Sequence, residues 1–232
     1  NIQSDFVQVD EDTRINVKLK SGQETEINAP GPKVTHAQFE QLLSQIRRTT
    51  NDDIVIVAGS VPNSIPSDAY AQIAQITEKT GAQLVVDAEK DLVETVLPYR
   101  PLFIKPNKDE LEVMFNTTVK SDEDVIKYGK EILKKGAQSV IISLGGDGAI
   151  YVDQHQSIKA VNPQGHVVNT VGSGDSTVAG MVAGLSMGLN IDEAFQQAVA
   201  SGTATAFSED LATRDAIENI KSQVTISVLD GE

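Results

Sequence analysis

The chain has 232 residues, and 33 acidic against 19 basic side chains give it a formal charge of −14, which excludes a general nucleic-acid binder. No cysteine and only three scattered histidines exclude disulfides, thiolate catalysis and zinc–cysteine sites. Hydrophobic residues at 40% and charged residues at 22% suit one sizeable core, and the lack of a membrane-length apolar run or signal-peptide pattern points to the cytoplasm with no membrane partner.

In chain order, residues 13–20 alternate polar and apolar, 21–24 form a turn and 25–28 resume extended character. This predicts a β-hairpin in a lid segment over 5–30, ended by Ala29-Pro30-Gly31-Pro32. From residue 31 to 232 the texture changes to alternating helix and strand. Helical spacing marks 36–48, 68–80, 91–97, 108–115 and 122–135, a long small-residue helix after Gly174, then 191–207 and 214–221. Short apolar runs mark strands at 54–58, 83–86, 102–105, 139–144, 149–152 and 225–229. The alternation predicts an α/β fold: a doubly wound, mostly parallel sheet with helices on both faces, plus the small β-lid. Ligands of such sheets bind beyond the carboxyl ends of the strands, where Gly59-Ser60, Asn107, the glycines after Leu144 and those before Asp175 fall.

The strongest local pattern is Asn169-Thr170-Val171-Gly172-Ser173-Gly174-Asp175, followed by Ser176-Thr177-Val178-Ala179-Gly180. Two glycines allow close backbone approach, and a following helix points free N–H groups at the turn, making an anion site. A carboxylate there, Asp175, is placed to deprotonate an alcohol; equally, an Asp in a first helical turn is favoured by capping and the helix dipole alone. Asn107 and Glu110 flank a strand-to-helix junction and suit Mg²⁺, which keeps most of its waters and needs few protein ligands. A strand end with a helix-start Glu is the plain alternative. Ser143-Leu144-Gly145-Gly146-Asp147-Gly148 is a glycine-rich turn; with a strand after it, it is neither a dinucleotide fingerprint nor a Walker A loop. On a strand, Arg14, Asn16 and Lys18 share one face, and Ile15, Val17 and Leu19 the other; the first is a phosphate clamp or a solvated face. Asp87, at a strand end, is either a cap or a contributor to a metal shell.

The segment 169–180 resembles the second signature of the ribokinase-like, PfkB carbohydrate kinases, and the resemblance covers the whole chain. It implies Gly172, Ser173 and Gly174 as an anion hole and Asp175 as catalytic base. Lys105-Pro106-Asn107-Lys108-Asp109-Glu110 is similar to the family's N-x-x-E motif, implying Asn107 and Glu110 in organising Mg²⁺. Ser143–Gly148 is similar to its nucleotide loop, implying Ser143, Gly145, Gly148, Thr170, Gly172, Gly174 and Ser201 around ATP, with 201–205 flanking it. Gly59-Ser60-Val61-Pro62 fits a further stretch near the active site. The lid, with Arg14, Asn16 and Lys18, resembles the hexose-phosphate kinase branch, where such cations hold the phosphate already on the sugar. Ribokinase and adenosine kinase lack it. The implied reaction is ATP-dependent phosphorylation of the 6-hydroxyl of D-fructose 1-phosphate. The alternatives are tagatose 6-phosphate as substrate, or a non-catalytic sensor on the same fold. The lid implies a homodimer. The family's first strand and its Gly-Gly sugar-binding elements do not occur ahead of residue 13, and a chain without them is expected to expose a sheet edge and bind sugar weakly.

Overall fold

A computed structural model describes residues 2–21 and 23–231; the side chains of residues 18, 20, 21 and 23–26, the predicted Lys18 among them, lie outside the described residues. Strands β1 (Asn16–Ser21) and β2 (Gln23–Asn28) pair antiparallel as a separate two-stranded sheet, with Val17 opposite Ile27. Arg14 was expected on the strand. It stands just ahead of β1, outside the ladder. The segment 5–8 lies beside α1 (His36–Ile46), where Gln45 and Gln38 donate to the carbonyls of Asp5 and Gln8.

The main sheet follows chain order: β3 (Ile54–Ala58), β4 (Gln83–Asp87), β5 (Phe103–Ile104), β6 (Val140–Ser143), β7 (Ala149–Val152), β8 (Gln156–Val161) and β9 (Thr225–Gly231). Strands β3 to β6 are parallel, while β7, β8 and β9 each pair antiparallel with the strand before, so β8 runs with β3–β6 and most strands share one direction. The intervening helices are α2 (Ala69–Thr80), α3 (Lys90–Val96), α4 (Lys108–Phe115), α5 (Asp122–Lys135), α6 (Ser173–Ser186), α7 (Ile191–Ala206) and α8 (Arg214–Lys221).

Strand period decides the layers. Leu84, Val86, Ile104, Val140, Ile142, Ile150 and Val152 face one side and pack with the apolar stripes of α1 to α5. Their neighbours Val85, Phe103, Ile141, Ala149, Tyr151, Ile158 and Ala160 face the other and pack with α6, α7 and flanking residues of α8. The sheet is thus flanked by helices on both faces.

Strand β8 was not anticipated from the sequence. Its only apolar residues are Ile158, Ala160 and Val161, and Ser157 is buried although polar, so no apolar run marks the strand; the register shift beside Ser157 and Ile158 falls on β9, where Leu229 is left out of the pairing. Helix α6 begins at Ser173, ahead of the expected start, because Gly172 (φ 80°) turns the chain into it from the left-handed region. Among the described residues no helix is long and apolar enough to cross a membrane.

Candidate active site

Five parts of the chain converge at the carboxyl edge of the parallel strands. Strand β3 delivers Gly59 and Ser60, β4 delivers Asp87, β5 leads through Lys105 to Asn107, β6 leads into the 143–148 turn, and α6 points its N-terminus at them. Two cavities meet there. The larger, about 690 Å³, is lined by Lys105, Asn107, Ser143, Gly145, Gly148, Thr170, Ser173, Gly174 and Thr203 among others. The smaller, about 480 Å³, is lined by Arg14, Asn16, Asn28, Gly59, Ser60, Asp87, Ala88, Glu89, Glu110 and Asp175. Both volumes suit small ligands (roughly 300–1,000 Å³). Successive residues of one helical turn divide between them: Ser173 and Gly174 face the larger space, Asp175 the smaller.

No side chain caps α6, since Gly172 stands at its N-cap. The Ser173 N–H donates to the Thr170 carbonyl at 3.2 Å, and the Ser176 N–H to the Gly172 carbonyl at 2.8 Å. The donors of the first turn without an intrahelical acceptor are therefore those of Gly174 and Asp175. Together with the helix dipole they favour an anion at the junction of the cavities. The Ser173 Oγ is buried without a hydrogen-bond partner, a donor held against the larger cavity.

Beneath this turn lies an ion pair that no motif announced. The Lys105 Nζ is 3.3 Å from the Asp87 Oδ2, with the two side chains only 7% and 17% exposed. A Cβ at Gly174 would stand 3.2 Å from that ammonium and 3.9 Å from the carboxylate, so glycine lets the helix start sit directly on the pair. Burial pushes the Asp87 carboxyl above its ordinary value, the Lys105 charge pulls it back, and the Asp175 charge adds a smaller upward push. Lys105 lines the larger cavity and Asp87 the smaller, so the pair bridges both. In the sequence Lys105 ended a strand and opened the Lys105–Glu110 stretch, with no role of its own. The signal available was a lysine at the end of a buried strand, where an unpaired charge is not tolerated.

Asn107 and Glu110 close a capping box at the start of α4. The Asn107 Oδ1 accepts from the Glu110 N–H at 2.8 Å, and the Glu110 Oε2 accepts from the Asn107 N–H at 2.7 Å. The plain helix-start reading is therefore realised, and it also fixes both side chains at the cavity walls, Asn107 in the larger and Glu110 in the smaller. Among the described residues no three His, Cys, Asp or Glu side chains cluster as a metal cage.

On the lid side, the Arg14 guanidinium donates to Ser60 Oγ at 2.8 Å, which ties the segment leading into β1 to the turn after β3. The Tyr70 hydroxyl donates to the Gly59 carbonyl at 2.8 Å and steadies the same turn. Asn16 and Asn28, paired across β1 and β2, reach the smaller cavity together with Arg14. Ser201 does not join the others. Its Oγ donates to the Gln197 carbonyl inside α7 and packs against Gly180 of α6, while its neighbours Gly202 and Thr203 line the cavity instead.

Residues 1–216 match the pfkB family of carbohydrate kinases. The chain belongs to that family. It is 42% identical over 229 residues to the 1-phosphofructokinase of Bacillus subtilis (strain 168), covering 99% of this chain and 76% of that protein. It is 35% identical to the D-tagatose-1-phosphate kinase of Bacillus licheniformis, covering 98% of this chain and 75% of that one. A crystal structure from Staphylococcus aureus, provisionally named a phosphofructokinase, superposes with a TM-score of 0.91 at 81% identity, over 100% of this chain and 76% of that one. The chain is thus a phosphotransferase with an alcohol acceptor, of the sugar-phosphate kinase kind, and the family implies ATP as its co-substrate.

Proposed function

We propose that the protein transfers the γ-phosphoryl group of ATP to the 6-hydroxyl of D-fructose 1-phosphate, giving fructose 1,6-bisphosphate and ADP. The observation that carries this reading is the division of one helical turn between two cavities, Asp175 toward the lid side and Ser173 and Gly174 toward the other. ATP lies in the larger cavity, with its phosphates running past Thr170 to the start of α6. The sugar phosphate lies in the smaller one, its existing phosphate held by Arg14 and Asn16, with Lys18 assigned to it from the sequence. Asp175 takes the proton of the 6-hydroxyl as its oxygen bonds to the γ-phosphorus. The bond from that phosphorus to the β–γ bridging oxygen breaks, and the electron pair leaves with ADP. The Gly174 and Asp175 N–H groups stabilise the charge on the phosphoryl oxygens in transit, with Gly172 and Ser173 shaping the hole.

The donor set suits Mg²⁺, which takes one or two carboxylates and keeps several waters. Glu110 and Asp87 would hold it from the smaller cavity and Asn107 through water from the larger; bound there, the ion neutralises phosphate charge. The two-stranded lid acts as a separate segment over the α/β core, its apolar face paired with that of a second copy. The setting is the cytoplasm.

A second sugar is favoured by one relative. The D-tagatose-1-phosphate kinase likeness points to a substrate that also carries its phosphate on carbon 1, whereas tagatose 6-phosphate draws no such support. ADP release with Mg-ATP and fructose 1-phosphate, tagatose 1-phosphate, tagatose 6-phosphate and fructose 6-phosphate in parallel tests the assignment. The highest kcat/KM is expected for fructose 1-phosphate. A preference for either tagatose ester moves the substrate and keeps the mechanism, and ADP binding without turnover on any sugar overturns it in favour of a sensor.

A further inference from the structure

Asn162, the first residue after β8, joins two walls of the larger cavity. Its Oδ1 accepts from the buried Thr203 hydroxyl of α7 at 2.8 Å. Its Nδ2 donates to the Gly145 carbonyl at 3.0 Å and, more weakly, to that of Gly146 at 3.4 Å. The acceptors on one side and the donor on the other fix which end of the amide faces which wall. All four residues line the cavity. The 143–148 turn is otherwise closed on itself: Leu144 N–H to Gly148 O, Asp147 N–H to Leu144 O, and Gly148 N–H to Gly145 O. Gly148 (φ 93°) presses against β8, where a Cβ would fall 1.9 Å from the Ala160 carbonyl, whereas Gly145 and Gly146 have open space around their Cα atoms. The far half of the turn is thus wedged, while the near half, with open space around both glycines, is tied back to it by the Gly148 N–H on the Gly145 carbonyl and out to α7 through Asn162. A peptide unit is planar, so fixing the Gly145 carbonyl also fixes the direction of the Gly146 N–H.

We propose that Asn162, held by Thr203, is a positioning residue for the nucleotide: it sets the near half of the glycine turn in the orientation that a nucleoside di- or triphosphate requires. This rests on the reading of the larger cavity as the ATP side. Asn162→Asp tests it, because it keeps size and the acceptor for Thr203 but sets a carboxylate oxygen against the Gly145 carbonyl. ADP affinity by calorimetry is expected to fall about tenfold, and KM for ATP to rise in step, while KM for the sugar phosphate and kcat at saturating ATP stay within about twofold. Thr203→Val, a milder change that leaves the turn's own bonds intact, is expected to weaken ADP binding by less. The double variant is expected to be no worse than Asn162→Asp alone, since the two residues act through one link. Unchanged ADP affinity in either folded variant overturns the proposal, as does an equal rise in both KM values. Absence of ADP binding by the unmodified protein overturns instead the reading of the cavity on which it rests.

Discussion

Asp175 follows Gly174, whose Cα stands against Lys105, yet removing the two charges should have opposite signatures. Asp175 is exposed and makes no packing contact that a neutral isostere would lose. Asp175→Asn is therefore expected to lower kcat by about 10³-fold, as loss of a general base does, with the thermal midpoint and ADP affinity unchanged. A variant retaining a tenth of wild-type kcat would remove the base assignment. Lys105→Met, in contrast, leaves the Asp87 charge buried alone, which typically destabilises by about 3–5 kcal/mol. In that variant Asp87 loses both influences that lower its pKa, so its folded value rises further above the unfolded one. The folded state then binds the proton more tightly, and the contribution is present at low pH and lost as pH rises through the folded value. Urea midpoints of Lys105→Met are thus expected to approach those of the unmodified protein as pH falls from 7 toward the ordinary aspartate range. Adding Asp87→Asn should restore stability at pH 7 without restoring turnover. What was legible at this scale was what is contiguous: the 172–175 turn, the Asn107–Glu110 box and the 143–148 turn each carry their reason within a few residues. The Asp87–Lys105 pair and the Asn162–Thr203 link join residues far apart in the chain, and only the sheet brings them together.

The helices declared themselves because their caps and apolar stripes are local. Asn107, Ser121, Asn190 and Thr213 each cap the helix that follows. Strand β8 did not, for it carries few apolar residues and buries the polar Ser157, and the residue that follows it, Asn162, went unnoticed with it. The seam between α6 and α7 was half legible: the small residues of α6 were plain, their partner was not. Glycine brings the helices into near contact, since a Cβ at Gly184 would stand 2.8 Å from the Ala194 Cα and one at Gly180 2.9 Å from the Ala198 Cα. The same helix carries the first-turn donors at its other end, so its axis cannot tilt without moving them. Gly184→Val should lower unfolding free energy by about 1–3 kcal/mol, the usual range for overpacking. It should also lower kcat, although Gly184 is more than two helical turns from Asp175. Urea unfolding and turnover measured together check this. A stability loss with kcat intact would show that α6 yields at the seam without transmitting the shift.

At the scale of the whole molecule the unresolved demand is the lid. A two-stranded hairpin alone is marginal in water, and β1–β2 makes no ladder with the main sheet. One of its faces meets the smaller cavity through Asn16 and Asn28. The other carries Ile15, Val17, Leu19 and Ile27, which are 74%, 41%, 48% and 56% exposed. With Val17 and Ile27 directly paired across the strands, this face is a compact apolar patch that solvent does not stabilise. A second copy would cover it at least expense of new surface, because a two-fold axis would set the same patch against itself. Light scattering at micromolar protein is then expected to give twice the chain mass, and Val17→Asp with Ile27→Asp to give a monomer whose core unfolds at the same urea concentration. The monomeric variant should keep its ADP affinity, since the larger cavity has no lid residue in its wall, and show a raised KM for sugar phosphate, since Arg14 and Asn16 depend on the hairpin for their place. An unmodified protein that is already monomeric, with sugar-phosphate KM indifferent to the two substitutions, would mean that the Arg14–Ser60 bond alone holds the lid over its cavity.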